Sequence, residues 1–302
     1  MNAISLKRVV KTFGEHRAVD DLSFEIPTGV IFGLLGRNGA GKTTTIRMML
    51  DIIRPDAGQL EVLGGKTADG AKDRIGYLPE ERGLYPKMKV REMLAFQAAI
   101  KGLAHAEGLR RADGWLERLE LGAWRDKKVE ELSKGMAQKV QFIAAVLAEP
   151  ELLILDEPFS GMDPVNQDVF KDLILEMNRA GSTVVFSTHV MESAERLCHE
   201  IALIDTGRAV LHGAITSIKE RFGKNALRLE FEGNGAFLAG LPVVEHFNDY
   251  GQHVELQLVQ GADEQEVLRA AVGRLRIRRF EIVAPSLHNI FVQQVGGEDS
   301  DA

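Results

Sequence analysis

The sequence predicts an α/β fold, and three observations carry the prediction. Val30, Ile31, Phe32, Gly33, Leu34 and Leu35 form an apolar run that leads into a glycine-rich loop and then helix-compatible spacing from Thr44 to Leu50. A second apolar run, Leu152, Leu153, Ile154 and Leu155, ends in Asp156 and Glu157. A third, over residues 183–188, ends at His189. Short apolar runs bounded by turns and separated by helix-length segments are buried strands of an α/β sheet.

The glycine-rich loop is Gly36, Arg37, Asn38, Gly39, Ala40, Gly41, Lys42 and Thr43, which fits G-x-x-x-x-G-K-[ST]. Strand, loop and helix are the context this phosphate-binding motif requires. Glycines let successive backbone N–H groups turn toward one point, and the helix start adds its positive dipole end. Lys42 can reach β- and γ-phosphates, and the Thr43 hydroxyl is placed to ligate Mg²⁺.

Bulk properties narrow the setting. The chain has 302 residues, 45% of them apolar, so it can bury a large core and carry a second, smaller domain. Its net charge of −7 argues against a dominant nucleic-acid footprint. The single cysteine, Cys198, cannot form an intramolecular disulfide, which suits a reducing compartment. The N-terminus has no apolar signal-peptide region, and no uncharged apolar run approaches the ~18 residues that span a bilayer. A cytoplasmic protein is expected, reaching a membrane only through a partner.

In chain order, residues 3–10 alternate as a strand, and Phe13 and Gly14 form a turn. Leu22, Phe24 and Ile26 alternate again. Phe13, upstream of the glycine loop, is either an aromatic that stacks on adenine or a core phenylalanine. Residues 59–63 and 75–78 are strands, the second ended by Pro79 and Glu80. From about 87 to 134 apolar residues recur at helical spacing, giving a helical insertion. Ser133 is then a good N-cap for a helix reaching about Ala148, with Gly135 in its first turn.

The strand 152–155 supplies the second half of a nucleotide site. An acid at the end of a buried strand, after a phosphate loop, can hold the Mg²⁺ shell, and this assigns Asp156. Glu157 can orient or deprotonate water. Ser160, Gly161, Met162 and Asp163 make a tight loop into a helix over 165–179. His189 stands at the carboxyl end of the strand 183–188, where ligands of open α/β sheets sit, and can touch a γ-phosphate or merely cap the strand.

Phe13, the loop 36–43, Leu132 to Met136, Leu152 to Glu157, Ser160 to Asp163 and His189 stand in one fixed order. This order resembles the ATP-binding cassette of ABC transporters over roughly residues 2–220. The resemblance implies a P-loop NTPase ABC-cassette fold with a helical subdomain, and two cassettes that dimerise head to tail around two ATP molecules. It further implies that Ser133 and Gly135 contact the γ-phosphate held by the second cassette. Asp163 would cross the interface, His189 would sense the γ-phosphate, and Phe13 would stack on adenine. The sequence departs from the usual L-S-G-G-Q, with Lys134 and Met136 in place of a glycine and the glutamine. The glutamine expected after Gly76, Tyr77, Leu78 and Pro79 is replaced by Glu80, which is expected to act as a metal-side ligand beside Thr43 and Asp156.

The stretch Tyr77 to Tyr85 resembles bacterial ATPases for sodium, drug or lipid export, a subgroup with a small C-terminal domain. Strand-like alternation at 226–232, 243–247, 253–259 and 278–283, with helical spacing at 263–272 and 286–294, predicts a small α+β module of ferredoxin-like form. The expected domains are therefore 1–222, 223–295 and a disordered tail, 296–302. Arg274, Arg276, Arg278 and Arg279 form a solvated face or one for an acidic partner or anionic surface.

The expected function is an Mg²⁺-dependent ATPase subunit of an exporter, driving a separately encoded membrane subunit from the inner face of the membrane. The alternative is a cassette ATPase acting on DNA or ribosomes. The gap between Lys42 and Ser133 has no sustained heptads for a long coiled coil, and only one phosphate loop is present. A nucleotide-gated module without turnover is disfavoured by Glu157.

Overall fold

The computed structural model describes residues 1–65, 68–81, 83–222, 226–259 and 261–296. Arg82, Gly223 and all but Gly296 of the expected acidic tail lie outside them. The chain forms two compact units, Met1–Gly213 and Ala214–Ala302. The division falls before the helix Ile215–Arg221, earlier than the expected break after Phe222.

The first unit runs β1 (Asn2–Phe13), β2 (His16–Pro27), β3 (Ile31–Leu35), α1 (Lys42–Met49), β4 (Ala57–Val62) and β5 (Ile75–Leu78). It continues with α2 (Val90–Ile100), α3 (His105–Arg118), α4 (Lys134–Val146), β6 (Leu152–Leu155), α5 (Pro164–Arg179), β7 (Thr183–Thr188), α6 (Met191–Leu197), β8 (Glu200–Asp205) and β9 (Arg208–Ala214). Antiparallel pairing gives a small sheet in the order β2-β1-β4. The central sheet has the order β5-β6-β7-β3-β8-β9, parallel from β5 through β8. Leu78 pairs with Leu155, and Leu35 with Thr188, so these strands end together along one edge.

The continuous apolar strands are explained by helices and a second sheet on their two faces. Leu153, Leu155, Val184 and Phe186 pack against Met93 and Leu94 of α2, Phe142 of α4 and Phe170 of α5. Leu152, Ile154, Val185, Phe32 and Leu34 pack against Ile46 and Met49 of α1 and Leu6 and Phe24 of the antiparallel sheet. Each fully buried side chain of this size contributes about 1.5–3 kcal/mol. The insertion is helical as its spacing predicts, with α2 and α3 inside it. At the β8–β9 hairpin, Thr206 and Gly207 have φ of 44° and 81°, as a tight turn matched to strand twist needs.

The second unit holds α7 (Ile215–Arg221), β10 (Ala226–Glu232), β11 (Val244–Asp249), β12 (Val254–Leu258), α8 (Glu264–Ala271), β13 (Arg276–Val283) and α9 (Leu287–Gly296). Its antiparallel sheet has the order β11-β12-β10-β13. Leu227, Leu229, Val254 and Leu256 meet Val267 and Ala271 of α8. The succession is ferredoxin-like, with the first helix reduced to a 3-10 turn, Ala236–Gly240. Gly233, Gly235 and Gly240 leave too short a helix-forming run there. The arginine face is exposed and internally paired: Arg276 and Arg278 meet Glu232, Arg279 meets Glu281 at 2.7 Å, and Arg274 covers the Phe237 ring.

Candidate functional site

The site lies where β3, β6 and β7 end. Beyond Leu35 the chain turns sharply at Gly36, φ 152°, where a Cβ would collide with the Ile204 carbonyl oxygen. Gly41 is left-handed, φ 105°, and caps α1 without a side-chain bond; a Cβ there would collide with the Ala18 carbonyl. Both glycines are therefore dictated by close backbone approach. The first turn of α1 presents open N–H groups and the positive end of its dipole. Gly39 and Ala40 complete the loop, with Arg37 and Asn38 exposed and Thr44 partly covered.

Lys42 is buried, and its Nζ donates to the carbonyls of Gly36 at 2.9 Å and Arg37 at 3.2 Å. It also lies 3.3 Å from Glu157 Oε1, an ion pair that lacks hydrogen-bond geometry. Thr43 Oγ1 donates to Asp156 Oδ1 at 3.3 Å.

Asp156 is completely buried at the end of β6, and its backbone N–H donates to the Leu78 carbonyl at 2.8 Å. Ser187 Oγ donates to its Oδ1 at 2.6 Å, and Ser187 Oγ itself accepts from the Glu157 N–H at 2.8 Å. One hydroxyl on β7 thus fixes both acids. Burial pushes the Asp156 carboxyl above its usual range, against the hydrogen bonds of Ser187 and Thr43. Tyr77 nearby is pushed up to about 12, by burial first and then by the Asp156 charge. Glu157 has a left-handed backbone, φ 46°, and its Oε2 lies 3.1 Å from His189 Nδ1.

Asp156 Oδ2 and Glu157 Oε1 are buried oxygens without a hydrogen-bond partner. Such orphaned acceptors suit a cation and polarised water, and Thr43 and Asp156 are the hard oxygen ligands Mg²⁺ takes. Among the described residues no group of three or more His, Cys, Asp or Glu is placed to hold a metal. The chain therefore offers a partial shell, the kind that phosphate oxygens and water complete.

The structure brings together residues 36–43, Asp156, Glu157 and His189. Among the described residues Phe13, Glu80, Ser133, Gly135 and Asp163 share no hydrogen bond with that cluster. Phe13 is 50% exposed at the tip of the β1–β2 hairpin and outside the core. Glu80 is exposed just past β5. Ser133 caps α4, its hydroxyl accepting from the Met136 N–H at 3.3 Å, and Lys134 lies across Gly161. Asp163 caps α5 and accepts from the Asn166 N–H at 3.0 Å, which holds its carboxyl below the usual range. Ser187 was not singled out from the sequence. Its one signal is a polar residue in an apolar strand, two positions before His189.

Residues 19–160 match the model of the family described as ABC transporter, and residues 213–295 that of the ATP-binding protein DrrA1-3-like, C-terminal domain. The chain is 43% identical to the uncharacterized ABC transporter ATP-binding protein YhaQ of Bacillus subtilis, over 97% of this chain and 98% of that one. It is 34% identical to the Nod factor export ATP-binding protein I of Paraburkholderia xenovorans, over 99% of each. A solved ATP-binding subunit of an ABC transporter superposes with a TM-score of 0.68 at 32% identity, over 73% of this chain and 93% of that one. Relatives that align end to end, together with the cassette fold, make this chain an ATP-binding subunit of the ABC transporter family: an ABC ATPase followed by a DrrA-like C-terminal domain.

Proposed function

We propose that the protein hydrolyses ATP with Mg²⁺ as one of two cassettes that power a separately encoded membrane-spanning subunit in export. The observation that carries this is the pair of orphaned acid oxygens, Asp156 Oδ2 and Glu157 Oε1, beside Lys42 and Thr43. Bound Mg²⁺ would neutralise phosphate charge and polarise the γ-phosphoryl group. Thr43 and Asp156 would hold it, and Lys42 and the open N–H groups of the loop would bind the phosphates. Glu157 orients and deprotonates the attacking water, and His189 steadies Glu157 through Oε2.

Phe13 serves as the platform for the base, and its exposure supports this over a core role. Ser133 and Gly135, at the open start of α4, receive the γ-phosphate of the second cassette, with Asp163 beside them. Glu80 links the metal side to the helical insertion. Among the described residues no helix is long and apolar enough to cross a membrane, so passage of the substrate falls to a partner. The protein then works at the cytoplasmic face of that partner, and the name of the Nod factor relative supports export.

Co-purification in mild detergent tests the reading. A polytopic membrane protein should accompany the chain, and the complex should release phosphate only when Mg²⁺ is supplied. Turnover undiminished by chelation, or recovery with ribosomes or DNA instead, would contradict it.

A further inference from the structure

Asp56 stands on the connector between α1 and β4 and makes three contacts to the end of β1. Its N–H donates to the Val10 carbonyl at 2.8 Å, its Oδ1 accepts from Lys11 Nζ at 2.7 Å, and its Oδ2 accepts from the Thr12 N–H at 2.7 Å. Lys11 first, then the Thr12 N–H, hold the Asp56 carboxyl below its usual range. This stretch of β1 carries Phe13. Lys11 and Phe13 are separated by one residue and share a face of the strand. Lys11 Nζ lies 5.5 Å from the centre of the Phe13 ring, within cation–π reach.

The side chains differ in exposure in the unexpected direction. Lys11 is only 16% exposed, whereas Phe13 is 50% exposed. A held cation lies against an aromatic ring that is half-exposed. The same hairpin is also tied to the phosphate loop. Phe13 pairs with His16 at its tip, and the carbonyl of Ala18 presses on Gly41 closely enough to exclude a Cβ. The helix that begins at the phosphate loop leads, through its connector, to Asp56. Loop and ring are thus connected from both sides.

We propose that Asp56 and Lys11 are positioning residues for the nucleotide base, holding the Phe13 ring in register with the phosphate loop and leaving one face for the purine. This rests on the reading of Phe13 as the base platform. A solvated phenylalanine on a free hairpin tip would lose conformational freedom on stacking; one already clamped loses less. The ammonium on the far side leaves the stacking face clear, and Asp56 balances its charge.

Calorimetric binding of ATP and of inorganic tripolyphosphate to the full chain tests this. Tripolyphosphate engages the loop and has no base, so its affinity also reports a folded loop in each variant. Phe13→Ala should weaken ATP by about 5–100-fold, the range for lost base stacking, and leave tripolyphosphate unchanged. Asp56→Ala and Lys11→Met should each weaken ATP by about 2–10-fold, with tripolyphosphate within about twofold. Lys11→Arg should recover most of the ATP affinity, since guanidinium keeps both the ion pair and the ring contact. Equal loss for ATP and tripolyphosphate would make Asp56 a mere staple between strands and overturn the proposal. So would unchanged ATP affinity in Asp56→Ala when Phe13→Ala is impaired. An unimpaired Phe13→Ala would instead remove the platform itself, and the proposal with it.

Discussion

Lys42 Nζ sits 3.3 Å from Glu157 Oε1 with both side chains buried, and its remaining contacts are the carbonyl oxygens of Gly36 and Arg37. Among the described residues the carboxylate within ion-pair distance of this ammonium is that of Glu157, with the Asp156 carboxyl also within reach of its charge. The cation proposed to bind phosphate and the carboxylate proposed to activate water therefore hold each other in place. Each is also the other's compensation for burial.

Lys42→Ala should consequently do two things. It should weaken ATP binding and abolish hydrolysis, because a charge-assisted contact is lost. It should also destabilise the protein by about 3–5 kcal/mol, the cost of leaving a buried charge without its partner. Adding Glu157→Gln should recover a large part of that loss, as read by denaturant unfolding. Additive losses in the double variant would show that the two residues do not compensate each other.

Asp156 should show the opposite stability signature. Its carboxyl is raised from 3.8 by burial, so its contribution to stability is fully present below 3.8 and is lost as pH rises through the raised value. Asp156→Asn removes that loss and keeps an oxygen for Ser187. At neutral pH the variant should therefore melt at or above the wild-type midpoint, while Mg²⁺-dependent phosphate release falls at least about tenfold. A lower midpoint at neutral pH would mean that the buried charge is stabilising after all.

Glu80 is exposed just beyond β5, which pairs with the strand that leads into Asp156, and it is proposed to stand on the metal side. Glu80→Gln should keep turnover within roughly tenfold and raise the Mg²⁺ concentration for half-maximal activity, as a charged ligand becomes neutral. Unchanged Mg²⁺ dependence in both Glu80→Gln and Glu80→Ala would remove Glu80 from the metal side.

Removing Ile215–Ala302 should leave nucleotide binding intact, because every group of the site lies in the first unit and each unit has its own core. The expected defect is in assembly with the membrane partner or its stimulation of turnover. Loss of ATP binding in a truncated chain that still unfolds cooperatively would show that the second unit completes the site.

What the sequence made legible follows the range of the interactions. The glycine loop was legible because its motif is contiguous in sequence, although the backbones that Gly36 and Gly41 approach, Ile204 of β8 and Ala18 of β2, are not. Asp156 and Glu157 were legible because the all-apolar strand before them fixes where it ends. Ser187 was not, because its role arises from the pairing of β6 with β7, Leu155 beside Phe186, which brings residues far apart in sequence together. The unit boundary was missed for a related reason. Ile215 and Ile218 mark a buried helix face, but spacing alone does not say in which unit that helix belongs. Between β10 and β11 only a 3-10 turn, Ala236–Gly240, forms, because Gly235 and Gly240 bound the run, and the sequence showed no helical spacing there.

Glu157 is proposed to drive hydrolysis in a site completed by a second cassette. Sedimentation of Glu157→Gln with and without ATP tests it most directly, alongside phosphate release. The variant should retain ATP binding, turn over about 10²–10⁴-fold more slowly, and shift from monomer to dimer when ATP is added. Equal sedimentation with and without ATP, or turnover near that of the wild type, would contradict it.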